Sequence, residues 1–227
     1  MKPSEIIKDI FIVGGPDITD GRDGCVYLMN LEELILVDTG AGWSVEKIIN
    51  NVQSLGLNCK NLSKILLTHC HIDHIGGVPE IKKRFGSKIY IHKLDAPPVE
   101  TGDPILTAAK WYQTDFPPTP VDVKFNSPEE ILKIGEQEII SLHTPGHTPG
   151  SICIYLDKDG KRILFGQDLH GPLLSEFGSN LEDYGRSTKK LLDLEADILC
   201  EGHFGIYKTK KDVKNYILSY RRQYGVG

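Results

Sequence analysis

No stretch of the 227-residue chain approaches the roughly 20 consecutive apolar residues that a membrane-spanning helix needs. The opening residues, Met1 to Asp9, are too broken by charge to supply the apolar core of a secretory signal, so a cytoplasmic protein with no membrane partner is expected. Cysteine is sparse: five residues, an odd number, with no Cys-x-x-Cys pair. That fits reduced thiols better than a disulfide framework. Basic charge is short as well, with 26 Lys and Arg against 31 Asp and Glu and a net charge of −5. The largest basic blocks, Lys208-Thr209-Lys210-Lys211 and Lys189-Lys190, read as solvated helix faces, so no nucleic-acid partner is expected. The length suffices for one large domain with a full core; a single domain over residues 1–227 is the expectation, although length alone would also permit two.

Against these absences stands one dense motif, Thr68-His69-Cys70-His71-Ile72-Asp73-His74. Four metal-competent side chains fall within six positions, after the buried-strand run Ile65-Leu66-Leu67. If the chain stays extended, His69, His71 and Asp73 share one phase of the two-residue repeat and converge on one side. His74 is out of phase and joins them only if the backbone turns. Gly76-Gly77 and the helical pattern Val78 to Phe85 supply such a turn. One segment can therefore serve two adjacent metals, and its imidazole and carboxylate donors suit zinc, with manganese and iron accepting the same set. Cys70 falls on the opposite face of an extended segment, where a packed thiol is expected.

Three further apolar runs end beside a glycine in a histidine or aspartate. Ile139 to His143 leads into Thr144-Pro145-Gly146-His147-Thr148-Pro149-Gly150, whose prolines and glycines specify a tight loop carrying His147. Ile163-Leu164-Phe165-Gly166-Gln167 precedes Asp168, and Ile198-Leu199-Cys200-Glu201-Gly202 precedes His203. A short loop at a strand end is a rigid place to hold a ligand. His92 and His143 read as structural, Asp38 as a residue that orients a ligand, and His170 as a substrate-contact candidate.

Early strands are expected at Ile10–Val13, Cys25–Met29 and Leu34–Val37, then an amphipathic helix from Val45 to Leu55. Strands at Ile65–Leu67 and Ile89–Ile91 flank the helix Pro79 to Phe85. A second half runs from Glu129 through the strands named above, interrupted by a helix from Leu181 to Leu192 that starts at Ser179-Asn180 with acidic Glu182-Asp183, and closes with a helix from Lys211 to Tyr224. Between the halves, Ala96 to Asp122 carries six of the 13 prolines. It is a candidate lid with a short helix over Leu106 to Phe116, whose Trp111, Tyr112 and Phe116 either line the pocket or anchor the segment to the core. Periodicity alone supports a mixed α and β fold.

Taken together, the heptapeptide, His147, Asp168 and His203 resemble the metallo-β-lactamase superfamily, whose pattern is His-x-His-x-Asp-His, then a His, an Asp and a final His. The resemblance covers nearly the whole chain, and Leu36-Val37-Asp38-Thr39-Gly40 is similar to the family's early strand motif, which supports the site without ligating metal. It implies a four-layer αββα sandwich, an α/β (α+β) class. By the same resemblance, His69, His71 and His147 hold one metal and Asp73, His74 and His203 a second, with Asp168 bridging. Asp73 would also position the nucleophilic hydroxide. Two divalent ions, zinc in the first instance, less two carboxylates and a bridging hydroxide, leave a net positive centre. Such a centre lowers the pKa of bound water to about 7 and polarises a carbonyl oxygen.

The Thr-Pro-Gly-His and Gly-x-Asp motifs are more similar to glyoxalase II-like thioesterases and their single-domain relatives than to class B β-lactamases, which typically use a cysteine where Asp168 stands. Only 24 residues follow His203, where full-length glyoxalase II carries a helical region that holds glutathione. The implied activity is a metal-dependent hydrolase of a small thioester, ester or lactone, with an anionic or carbonyl-bearing small molecule as partner. Acyl-homoserine lactonases share the ligand set. The alternative is a persulfide dioxygenase-like oxidoreductase, using one iron held by His147, Asp168 and a histidine of the heptapeptide.

Overall fold

The computed structural model describes residues 1–227 and builds two mixed sheets flanked by helices, the four-layer αββα arrangement expected. The first sheet holds β1 (Ser4–Ile7), β2 (Ile10–Gly14), β3 (Val26–Asn30), β4 (Leu34–Val37), β5 (Leu62–Leu66), β6 (Lys88–His92) and β7 (Val123–Phe125), side by side in that order. Its first four strands pair antiparallel. The rest pair parallel, because α1 (Val45–Ser54), α2 (Ile72–Ile75) with α3 (Val78–Phe85), and α4 (Ala96–Thr101) occupy the crossovers. The second sheet holds β8 (Glu129–Ile134), β9 (Gln137–His143), β10 (Ile152–Lys158), β11 (Lys161–Phe165), β12 (Ile198–Cys200) and β13 (Ile206–Tyr207), also in neighbouring order. Only β11 and β12 pair parallel; α5 (Leu181–Asp193) makes that crossover and α6 (Lys210–Gln223) follows β13.

Alternation within the strands explains the layers. In β3 and β4, Val26, Leu28, Leu34 and Leu36 face the helices α1 and α3, whereas Tyr27, Met29, Ile35 and Val37 face the second sheet. In β11 and β12 the pattern recurs, with Ile163, Phe165, Ile198 and Cys200 turned inward and Leu164 and Leu199 turned toward α5 and α6. Strands buried on both faces read as unbroken apolar runs, which is why these four stand out in the sequence. α5 and α6 each turn one buried stripe inward, and both start at side-chain caps: Asn180 accepts from the Asp183 amide and Thr209 from the Asp212 amide.

The expected helix over Leu106–Phe116 does not form. The segment is a succession of turns, in which Ala108 and Gln113 adopt positive φ angles of 57° and 53° that no continuous helix admits. Asp103 accepts the amides of Ile105 and Leu106, starting the first of these turns. Phe116 is buried in the outer core, and Trp111 stays 53% exposed.

Candidate metal centre

All four ligand-bearing segments leave the sheets at the same end. The chain passes from β5 through Thr68 to His71, which is extended (φ −74°, ψ 146°) and caps the short helix α2. Asp73 therefore reaches the site on a helical turn and not, as strand alternation predicts, in phase with His69 and His71. His74 turns inward with it. The Ile152 amide donates to the Thr68 carbonyl at 2.8 Å, which ties the His147 loop to this segment. Asp168 follows β11, and His203 follows β12.

The seven expected side chains come together in two groups: His69, His71 and His147, and Asp73, His74, Asp168 and His203, with the donor atoms of each group within 4.8 Å of one another. Asp168 joins the groups, its Oδ2 standing 3.4 Å from His203 Nε2, 3.7 Å from His147 Nε2 and 4.0 Å from His69 Nε2. His203 Nε2 is also 3.2 Å from Asp73 Oδ2. His71 turns its Nδ1 inward, 2.9 Å from His147 Nε2.

The outward ring atoms are anchored. His74 Nδ1 lies 2.7 Å from Asp38 Oδ2, His69 Nδ1 lies 3.0 Å from Thr68 Oγ1, and His147 Nδ1 donates to the Pro172 carbonyl at 3.0 Å. Asp38 in turn accepts from the Thr68 amide and hydroxyl at 2.8 and 2.7 Å. These contacts orient the three rings and leave Nε2 of His69, His74 and His147 facing inward. Cys70 points the other way, buried in the outer core with its thiol donating to the Leu106 carbonyl at 3.3 Å.

Charge separates the groups. Burial, reinforced by the neighbouring imidazoles, holds His69 well below its usual pKa and His71 at about 3, and burial lowers His147 too. Those three rings are neutral donors. Burial also works against charge on His74 and His203, but the carboxylates around them prevail, raising His74 well above its usual value and His203 to about 10. The same pairing outweighs burial for the carboxylates, bringing Asp73 to about 2 and Asp168 well below its usual value. Positive charge is therefore wanted at the second group, where protons occupy positions a metal cation could take. His69 Nε2 is buried without a hydrogen-bond partner, a cost that coordination would remove, and Asp168 Oδ1 stands 3.1 Å from His74 Nε2. Three neutral imidazoles and a mixed carboxylate–imidazole set fit two divalent ions.

Over the centre lies a cleft of about 170 Å³. Ala108, Trp111, Tyr112, His170, Pro172 and Phe177 line it beside the donor side chains; no lysine or arginine does. Trp111 and Phe177 rings are 4.9 Å apart, centroid to centroid. Burial and the adjacent Asp73 carboxylate push the Tyr112 hydroxyl pKa upward, so it stays protonated. His92 and His143 stack on each other at 3.8 Å, apart from both groups.

Two residues escape sequence reasoning. Glu201, fully buried, accepts from the amides of His203 and Phe204 at 2.6 and 2.8 Å, and its Oε1 is 2.9 Å from His170 Nδ1. Its place beside Gly202-His203 was the one available signal. Asp95 has no such signal, since all its partners are distant in sequence.

The family model for the metallo-β-lactamase superfamily matches residues 20–203. Hydroxyacylglutathione hydrolase GloC of Haemophilus influenzae is 31% identical over 211 residues, covering 85% of this chain and 90% of that protein. Human acyl-coenzyme A thioesterase MBLAC2 is 25% identical over 210 residues, covering 79% and 72%. Among solved structures, the metallo-β-lactamase GOB-18 from Elizabethkingia meningoseptica superposes with a TM-score of 0.83 at 25% identity, covering 99% of this chain and 91% of that one.

Proposed function

The chain belongs to the metallo-β-lactamase superfamily, and we propose that it is a dinuclear, zinc-type hydrolase of a small thioester, ester or lactone. The observation that carries this reading is the junction of two donor groups through Asp168. His69, His71 and His147 would hold one ion, Asp73, His74 and His203 the other, and Asp168 would be shared. The chemistry such ions supply when bound is activation of water near neutral pH and polarisation of a carbonyl oxygen.

The chain's own groups then have distinct tasks. Asp73, ionised and facing the cleft, orients the attacking water. Tyr112, protonated beside it, can donate a hydrogen bond to an oxygen that gains charge in the transition state. His170, held at Nδ1 by Glu201, presents its other ring edge to the cleft as a second polar contact. Aromatic walls and the absence of lysine and arginine suit an uncharged acyl group, and the small volume suits a short one. The carboxylates of a carrier such as glutathione would find no lysine or arginine in the lining. Residues 1–227 would act as one catalytic unit, since both sheets contribute donors. Five free, buried thiols suit a reducing compartment, in keeping with a cytoplasmic enzyme.

The test is metal analysis of protein purified without added metal, paired with a panel of thioesters, esters and lactones and with oxygen uptake on a persulfide. Two zinc ions and cleavage of the panel are expected. One iron with oxygen consumption would establish the single-iron oxidoreductase instead, a reading that leaves Asp73, His74 and His203 without a task.

A further inference from the structure

Asp95 is 1% exposed and has no lysine, arginine or histidine against its carboxylate; all its partners are neutral donors. It sits beyond β6, at the start of α4. Its Oδ1 accepts from the Gly150 amide at 2.6 Å, and its Oδ2 accepts from the Thr148 hydroxyl at 2.6 Å and the Cys70 amide at 3.2 Å. Cys70 lies between His69 and His71, and Thr148 follows His147. One carboxylate thus grips both segments that carry the three-histidine group, without touching any of the three rings. The grip is closely fitted: a Cβ at Gly150 would stand 2.5 Å from Asp95 Oδ1, and Thr148 is steadied in turn by Ser151, whose Oγ lies 2.7 Å from its hydroxyl.

We infer that Asp95 is a positioning residue, a clamp that presets the spacing of His69 and His71 against His147 before any metal arrives. This rests on the reading of that trio as a metal site. An unpaired buried carboxylate is a costly way to join two loops, and burial raises its pKa to about 6 despite three donors. The ionised carboxylate is the group that can accept from two amides and a hydroxyl at once, whereas an amide side chain turns an N–H toward one of them.

The experiment measures zinc affinity by competition with a chromophoric chelator on metal-free protein, with no activity readout. Asp95→Asn and Thr148→Val should weaken retention at one of the two ions by about 10–100-fold, the range seen when groups that orient ligands are removed. Thr148→Ser, which keeps the hydroxyl, should restore wild-type affinity. Comparable thermal midpoints of the metal-free Thr148 variants would separate positioning from folding, and this pair carries the test should Asp95→Asn fail to fold. Wild-type affinity at both ions in Thr148→Val, or loss of affinity in Thr148→Ser equal to that in Thr148→Val, would overturn the clamp. Wild-type protein that binds no metal would overturn the underlying metal-site reading instead.

Discussion

Replacing Asp168 with asparagine probes the electrostatics of the centre separately from catalysis. In metal-free protein, Asp168 Oδ2 is 3.4 Å from His203 Nε2. At an effective dielectric constant of about 20, a unit charge pair at that distance is worth about 5 kcal/mol. At about 1.4 kcal/mol per pH unit, that is enough to move an imidazole pKa by more than three. Burial opposes the charge on His203, and Asp73 at 3.2 Å adds to the attraction, so the balance settles at about 10. Asp168→Asn should therefore bring His203 back toward 6.5, followed through its ring proton resonance in a pH titration. Stability should follow. A folded-state pKa raised above the unfolded value gives stabilisation that is complete below pH 6.5 and is lost as pH rises through 10. The metal-free wild type should accordingly weaken between about pH 7 and 10 in denaturant midpoint, with that contribution absent from the variant. His203 still titrating near 10 in Asp168→Asn would refute the assignment of Asp168 as the principal charge facing it. In the metal-loaded protein, Asp168→Ala should abolish activity and lower metal content; full activity would refute the shared-ligand role.

Gly202→Ala should reproduce part of that loss from the backbone side, because a Cβ at Gly202 would overlap Asp168 Oδ1; unchanged metal stoichiometry would exclude the overlap. His92→Ala should spare metal content and activity, since the ring stacks on His143 away from both donor groups. Burial, then the nearby His143, lowers the His92 pKa to about 4, so its stabilisation is full above pH 6.5 and lost as pH falls toward 4. Denaturant midpoints at pH 5 and 7 should differ less in His92→Asn than in wild type. Trp111→Ala removes an aromatic wall worth about 0.5–1.5 kcal/mol and should lower kcat/KM about two- to tenfold on a cleaved substrate, with little change in thermal midpoint. Unaltered efficiency would take Trp111 out of the site.

What the sequence reveals here depends on whether a residue's partners are near it in the chain. The strands β3, β4, β11 and β12 are legible because burial on both faces leaves apolar runs, and α5 because Asn180 and the acidic pair after it mark its start. The short β7 and β13 hold too few residues to show a period, and the 106–116 segment carries helix-forming residues while Asp103 and two positive-φ positions impose turns. The seven clustered side chains are legible because each follows an apolar run that delivers it to one end of a sheet. Their phasing is not, since His71 ends the extended segment and Asp73 arrives on a helix. Asp95 and Glu201 lie further from reach. Both act largely through backbone amides, which carry no side-chain signature, and the one side-chain partner of each, Thr148 and His170, is distant in sequence. Histidine spacing therefore exposes the donors of such a centre while concealing the carboxylates that hold the donor loops in place. Those concealed carboxylates sit where a substitution can disturb metal affinity without removing a single ligand.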